Sequence, residues 1–246
     1  MDGRRIRGIL TLVAAGMLIT GCSSGSKTAL APPTSTTTRA SAEQSLALRA
    51  VLQLSDLPTG YEVSTAVIPP VDRALQRELL ACVHLPPSVL TPAPGRARAI
   101  GQRFIDRLGP ASARAVTSAV AIEPPSVDLP ARFAAMTGSR AAECLQTALS
   151  ATLAHDPALA KAHVEGLTVR PLEAASVGDQ RAAFVGHYSV GTAVGAASAD
   201  LTFHLYLARR GRAVALLEIT AEGASIPTAF ASSLLETVLG RLAAAV

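Results

Sequence analysis

The stretch DLTFHLYLARRGRAVALLEIT, residues 200–220, decides the fold. In its first nine residues Leu201, Phe203, Leu205 and Leu207 alternate with Thr202, His204 and Tyr206. A period of two places these sets on opposite faces of a β-strand. Arg209, Arg210 and Gly211 supply a hairpin turn, and a second strand runs from Ala213 to Thr220. Val164 to Leu172 and Ala182 to Val190 have the same strand character, and Gly178 with Asp179 makes a turn before the second of them. Four such strands in succession predict an antiparallel meander.

Helical spacing surrounds this core. Leu46, Leu48, Val51, Leu52 and Leu54 form a short helical lead, broken at Asp56-Leu57-Pro58-Thr59-Gly60. A strand is expected over Tyr61 to Ile68, a helix over Val71 to Val83, a proline-rich loop over Pro86 to Gly95, and a strand over Ala113 to Ile122. Asp128 caps a predicted long helix carrying Phe133, Met136, Ala141, Leu145, Leu149 and Leu153 on one side, with Pro130 in its first turn. Pro227 opens a C-terminal helix marked by Phe230, Leu234, Val238 and Leu242. The predicted class is α+β, an antiparallel β-sheet with amphipathic helices packed on one face.

The N-terminal end reads as an address. Arg4, Arg5 and Arg7 precede an apolar run from Ile6 to Thr20, and small Gly21 precedes Cys22. The run is shorter than the roughly 20 residues of a membrane-spanning helix. Leu18-Ile19-Thr20-Gly21-Cys22 resembles the lipobox of bacterial lipoproteins, which implies cleavage after Gly21 and a diacylglycerol thioether on Cys22. Two acyl chains hold a protein on a membrane far more firmly than one. The expected organisation is a lipoprotein signal peptide over 1–21, a lipid-anchored Ser/Thr/Pro-rich tether over 22–45, and a sensor-like α+β domain over 46–246. An uncleaved N-terminal anchor is the alternative. Gly21 to Gly25 also fits G-x-S-x-G, but these residues straddle the cleavage point and join no strand to a helix.

The chain carries a formal +4, of which residues 1–21 hold three Arg against one Asp. The mature part keeps +2, shows no basic stripe interleaved with aromatics, and so offers nucleic acid no evident platform. Eight aromatics, none of them Trp, leave packing to Leu, Val, Ile and Ala and give few surfaces on which sugars stack.

Cys22 goes to lipid, leaving Cys82 and Cys144 in an oxidising exterior where they are expected to pair. Each lies on the apolar face of a predicted helix: Cys82 with Val71, Leu75 and Leu79, Cys144 with Phe133, Ala141, Leu145 and Ala148. The alternatives are two inert buried thiols or a redox pair, and no C-x-x-C spacing supports the latter.

His84, His155, His163, His187 and His204 lack metal-ligand spacing, so neither a metal nor another cofactor is expected. His187, His204 and Tyr206 form the candidate ligand-binding set, lining the polar side of the sheet if its apolar side takes the helices. A solvated polar face is the plainer reading. Serines and histidines with Asp179 or Asp200 permit a hydrolase on paper, but no nucleophile elbow survives in the mature chain, and no catalytic residue is assigned.

Leu54 to Tyr61 with its Asp-Leu-Pro-x-Gly core, Cys82, Gly101 with Phe104, Ser118 with Val120, Cys144, and Val177-Gly178-Asp179 resemble actinobacterial, especially mycobacterial, surface lipoproteins. These are related to the extracellular sensor domain of receptor serine/threonine kinases. The resemblance spans about residues 46–246 and implies an α+β sheet with flanking helices and a ligand-binding groove. It carries no catalytic residues. The kinase sensor domain has two disulfides, whereas this chain can form one. The expected protein is a cell-envelope lipoprotein on the extracytoplasmic face of the cell membrane, binding an envelope lipid, small molecule or protein without catalysis. A structural or assembly role with a protein partner is the alternative.

Overall fold

A computed structural model describes residues 35–65, 73–91, 93–155, 163–174, 176–191 and 198–245. The strands are β1 (Tyr61–Val63), β2 (Ala97–Ile100), β3 (Phe104–Gly109), β4 (Ser112–Ile122), β5 (His163–Leu172), β6 (Gln180–Gly191), β7 (Ser198–Arg210) and β8 (Ala213–Glu222). The α-helices are α1 (Ser35–Ala50), α2 (Arg73–Cys82), α3 (Leu129–Thr137), α4 (Ala141–His155) and α5 (Thr228–Arg241). One antiparallel sheet runs β1-β3-β4-β8-β7-β6-β5. β3 pairs the first half of β4 and β2 its second half. The chain is thus α+β, and the meander of β5 to β8 forms as its period-two pattern predicts.

The helices occupy both faces, not one. Leu201, Phe203, Leu205 and Leu207 of β7 share a core with Leu75 and Leu79 of α2, Leu129 and Phe133 of α3, and Leu145 and Leu149 of α4. Tyr206 and Ala208, on the opposite side of the same strand, share a second core with Ala47 and Ala50 of α1 and with Leu234, Leu235, Val238 and Leu239 of α5. The cause is the second face of the central strands. Val116, Val120 and Ile122 of β4 and Leu217 and Ile219 of β8 lie there beside Ala183, Ala208, Ala213 and Ala215. Small alanines let a helix approach closely, and this apolar area must leave water.

The folded part begins before the expected boundary. Residues 35–45, expected as tether, belong to α1, whose N-terminal sequence has no apolar stripe and which polar contacts hold from Arg39 onward. Glu43 accepts from Arg39 at 3.1 Å and from Arg212 at 2.6 Å, and Gln44 bonds both backbone groups of Arg98. The expected long helix is two, α3 and α4, divided around Gly138. Asp128 caps α3 by accepting from the Ala131 amide at 3.1 Å. β1 covers only Tyr61–Val63 of the expected strand 61–68, of which 66–68 lie outside the described residues. Asp56 explains its own motif: it accepts two bonds from Arg241, at 2.6 and 2.8 Å, and so ties the end of α5 to the Leu54–Asp56 turn. Burial pushes its carboxyl up, and hydrogen bonds from Arg241 and the Gln53 amide, with the Arg241 charge, more than offset this, leaving its pKa below the ordinary value.

The long edge strand β5 is blunted against further pairing. The Val169 amide donates to Gln146 Oε1 at 2.9 Å, a bulge interrupts the register between Glu165 and Thr168, and Pro171 lacks a donor. Next to it, Gly186 of β6 faces Phe203 of β7, and a Cβ on Gly186 would enter the buried phenyl ring. Gly186→Ala should therefore cost about 1–3 kcal/mol by overpacking, although alanine suits strands better than glycine. A urea midpoint equal to that of the parent would contradict this packing.

Candidate functional site

β6 and β7 bring His187, His204 and Tyr206 to one face, as their alternation predicts. His187 pairs with Thr202 across the strands and His204 with Val185, so the two histidines are diagonal neighbours. The face is not an open wall, however. Tyr206 is fully buried, between Ala183 and Leu217 in the sheet, within the core that α5 completes. His204 retains 9% exposure, and its Nδ1 shares a hydrogen bond of 3.1 Å with the Tyr206 hydroxyl. Only His187 is exposed, its Nδ1 lying 3.2 Å from Thr202 Oγ1. The expected groove shrinks to a polar sector of β5, β6 and the start of β7, with Thr168, His187, Ser189, Asp200 and Thr202 at its surface and His204 at its inner margin.

Burial alone lowers the His204 pKa, and burial pushes the Tyr206 hydroxyl up to about 12. With the folded value below the ordinary 6.5, the unfolded chain binds the proton more tightly. Stability should therefore fall as pH drops from about 6.5 toward the folded-state value, and the parent should show more of this loss than His204→Gln. Chemical denaturation across that range measures it, and parallel pH profiles for the two proteins would contradict it.

The groups of a hydrolase triad come close here without making one. Ser189 donates to Asp200 at 2.6 Å, while His187 is engaged with Thr202. A triad needs the serine proton directed at histidine and the histidine held by the carboxylate. In this arrangement the carboxylate takes the serine hydroxyl directly.

The remaining histidines are separate. His84 follows α2 with φ 59° and accepts from Arg140 Nη1 at 3.1 Å. His155 ends α4 and His163 begins β5, and their side chains lie outside the described residues. Among the described residues no three His, Cys, Asp or Glu side chains gather closely enough to hold a metal ion. Cys82, in the last turn of α2, and Cys144, in the first turn of α4, are disulfide-bonded with Cα atoms 5.5 Å apart. Cys22 lies outside the described residues.

A polar group that the sequence reading missed sits on the other face of the sheet. Arg103, just before β3, and Glu218 of β8 are 5% and 4% exposed, with Thr117, Tyr188 and Thr220, all buried, on the same side of the sheet. Burial lowers the Arg103 pKa, and the charge of Glu218 opposes that. Burial and then the same charge push the Tyr188 hydroxyl well above its ordinary value. The available signal was Glu218 itself, a single carboxylate within the otherwise apolar run AVALLEIT, residues 213–220. A strand that is apolar on both sides is buried on both sides, so a charge inside it is a buried charge. Beside this group a half-open cleft of about 20 Å³ is lined by Arg103, Ala115, Thr220 and Glu222, among others. That volume suits one water molecule.

No protein-family model matches this chain, and no curated protein is significantly similar to it.

Proposed function

We propose that the chain is a cell-envelope lipoprotein, lipidated on Cys22 and held on the extracytoplasmic face of the cell membrane, whose domain binds a ligand without chemistry. The observation that carries this reading is the Cys82–Cys144 bridge in the core between α2 and α4. Such bridges persist in oxidising compartments, which agrees with the Arg-rich, apolar leader ending at Cys22. The resemblance to actinobacterial sensor-like lipoproteins supports the same address. The polar sector around His187 and Thr202 is the candidate ligand surface, with His204 beneath it as the support of its inner edge.

A protein partner in the envelope is the second reading. It is favoured by the exposed Leu48, Leu54, Ile100 and Leu108 and by the small volume of the cleft at Arg103. Native mass spectrometry of the exported chain separates the two. The ligand reading expects an added mass that survives gentle ionisation, leaves on denaturation, and is lost in the His187→Ala, Thr202→Ala double variant. A bare mass for the parent chain counts against a retained ligand and favours the partner.

A further inference from the structure

We infer that the end of the sheet bearing the β7–β8 turn rests against the anionic phospholipid surface of the membrane that holds the lipid anchor. This inference rests on the lipoprotein reading above. α1 enters the domain at that end, where Glu43 meets Arg212 of the turn and Gln44 meets Arg98 of β2. Only 12 residues lie between Cys22 and Ser35, 13 steps of chain with a reach of at most about 45 Å when fully extended. The anchor therefore holds this end within about 45 Å of the bilayer and leaves docking to the charges of the surface.

The charges divide along the strands. At the turn end, the strand register and the α1 contacts place Arg39, Arg98, Arg181, Arg209, Arg210 and Arg212 with Glu43, Glu173 and Asp179, a formal +3, which Asp128 and Arg132 at the start of α3 and Glu236 near the end of α5 bring to +2. The ion pair Arg96–Glu123, with both side chains 4% exposed, cancels internally. Arg39 is 61% exposed, and Arg181 is exposed beside Ser176. At the opposite end, Arg107 and Arg114 face Glu62, Asp106, Glu165, Asp200 and Glu222, a formal −3. Strand β8 spans about 30 Å between the two ends. The potential of an anionic leaflet decays over a Debye length of about 8 Å, so it attracts the turn end and repels the other.

The test uses the full lipidated protein in vesicles. With Cys22 lipidated and Cys82 bridged to Cys144, an added cysteine is the single thiol open to label. A fluorophore on Ser176→Cys reports the turn end, one on Gly109→Cys reports the far end, and an acceptor lies in the bilayer. In vesicles of phosphatidylglycerol with phosphatidylcholine, transfer should be several-fold greater from Ser176→Cys, and added salt should abolish the difference. Each arginine at the surface contributes roughly fivefold. Arg39→Gln with Arg181→Gln should thus lower the ratio of docked to lifted molecules by more than tenfold. Equal transfer from the two labels in anionic vesicles, or a preference that salt leaves unchanged, overturns the inference. Intact mass separates the two failures: a chain without lipid on Cys22 overturns the lipoprotein reading and the inference together, and a lipidated chain without end preference overturns the inference alone.

Discussion

Replacing Cys82 and Cys144 together by alanine is expected to lower the stability of the domain by about 4 kcal/mol. The bridge closes a loop with a sequence separation of 62 residues, for which chain entropy alone gives a stabilisation on the order of 4 kcal/mol. Its position adds to the expectation. Cys144 is fully buried, and Leu75 and Leu79 of α2 reach the core alongside Leu145 and Leu149 of α4. α2 is one of the shorter helices and packs chiefly on α4. Without the bridge, its docking rests on a few leucines. For a domain of this size the loss corresponds to a fall in Tm of roughly 8–16 °C. The same fall should appear when the parent is heated with a reductant, and the double-alanine variant should not respond to the reductant. A reductant-insensitive parent Tm would show that the two cysteines do not hold α2 in place.

Removing the positive charge beneath the sheet should cost nearly as much. Arg103→Met leaves the Glu218 carboxylate 4% exposed without the opposing cation that acts on it now. Breaking a buried pair by deleting one partner typically costs about 3–5 kcal/mol, because the remaining charge is left uncompensated in a medium that solvates it poorly. Glu218→Leu in the same chain removes that charge and should recover most of the loss, since well-packed apolar replacements of buried pairs are close to neutral. The double-mutant cycle is the measurement. A strong positive coupling is expected, and additive losses would show that the two charges do not support each other. The far-end charges that include Glu222 flank this group, so the cycle is best run in moderate salt, which screens surface pairs more than buried ones.

How far the sequence reads depends on what each pattern registers. The alternation of Leu201, Phe203, Leu205 and Leu207 against Thr202, His204 and Tyr206 was enough for the strand, its hairpin and its partners. It misses the second face, because Tyr206 reads as polar and the alanines at 183, 208, 213 and 215 carry little hydrophobic signal. Those same alanines admit α5, and α5 turns an expected groove into a core with a narrower polar sector beside it. β2 and β3 escaped because they have four and six residues, too few for a period to show. The N-terminal part of α1 escaped because Glu43 and Gln44 dock the helix on Arg212 and Arg98 through polar contacts, which leave no apolar repeat. Arg103 and Glu218 meet only through tertiary pairing of β8, β4 and β3, across 115 positions of sequence, and local pattern has no access to that.

Whether Cys22 is cleaved free and lipidated is read from the intact mass of the chain recovered from the membrane fraction of an exporting host. The expected product is a polypeptide beginning at Cys22, heavier by a diacylglycerol group and lighter by two hydrogens, the latter regained on reduction of the Cys82–Cys144 bridge. A chain that still begins at Met1, or one whose two core cysteines are free thiols, would contradict it.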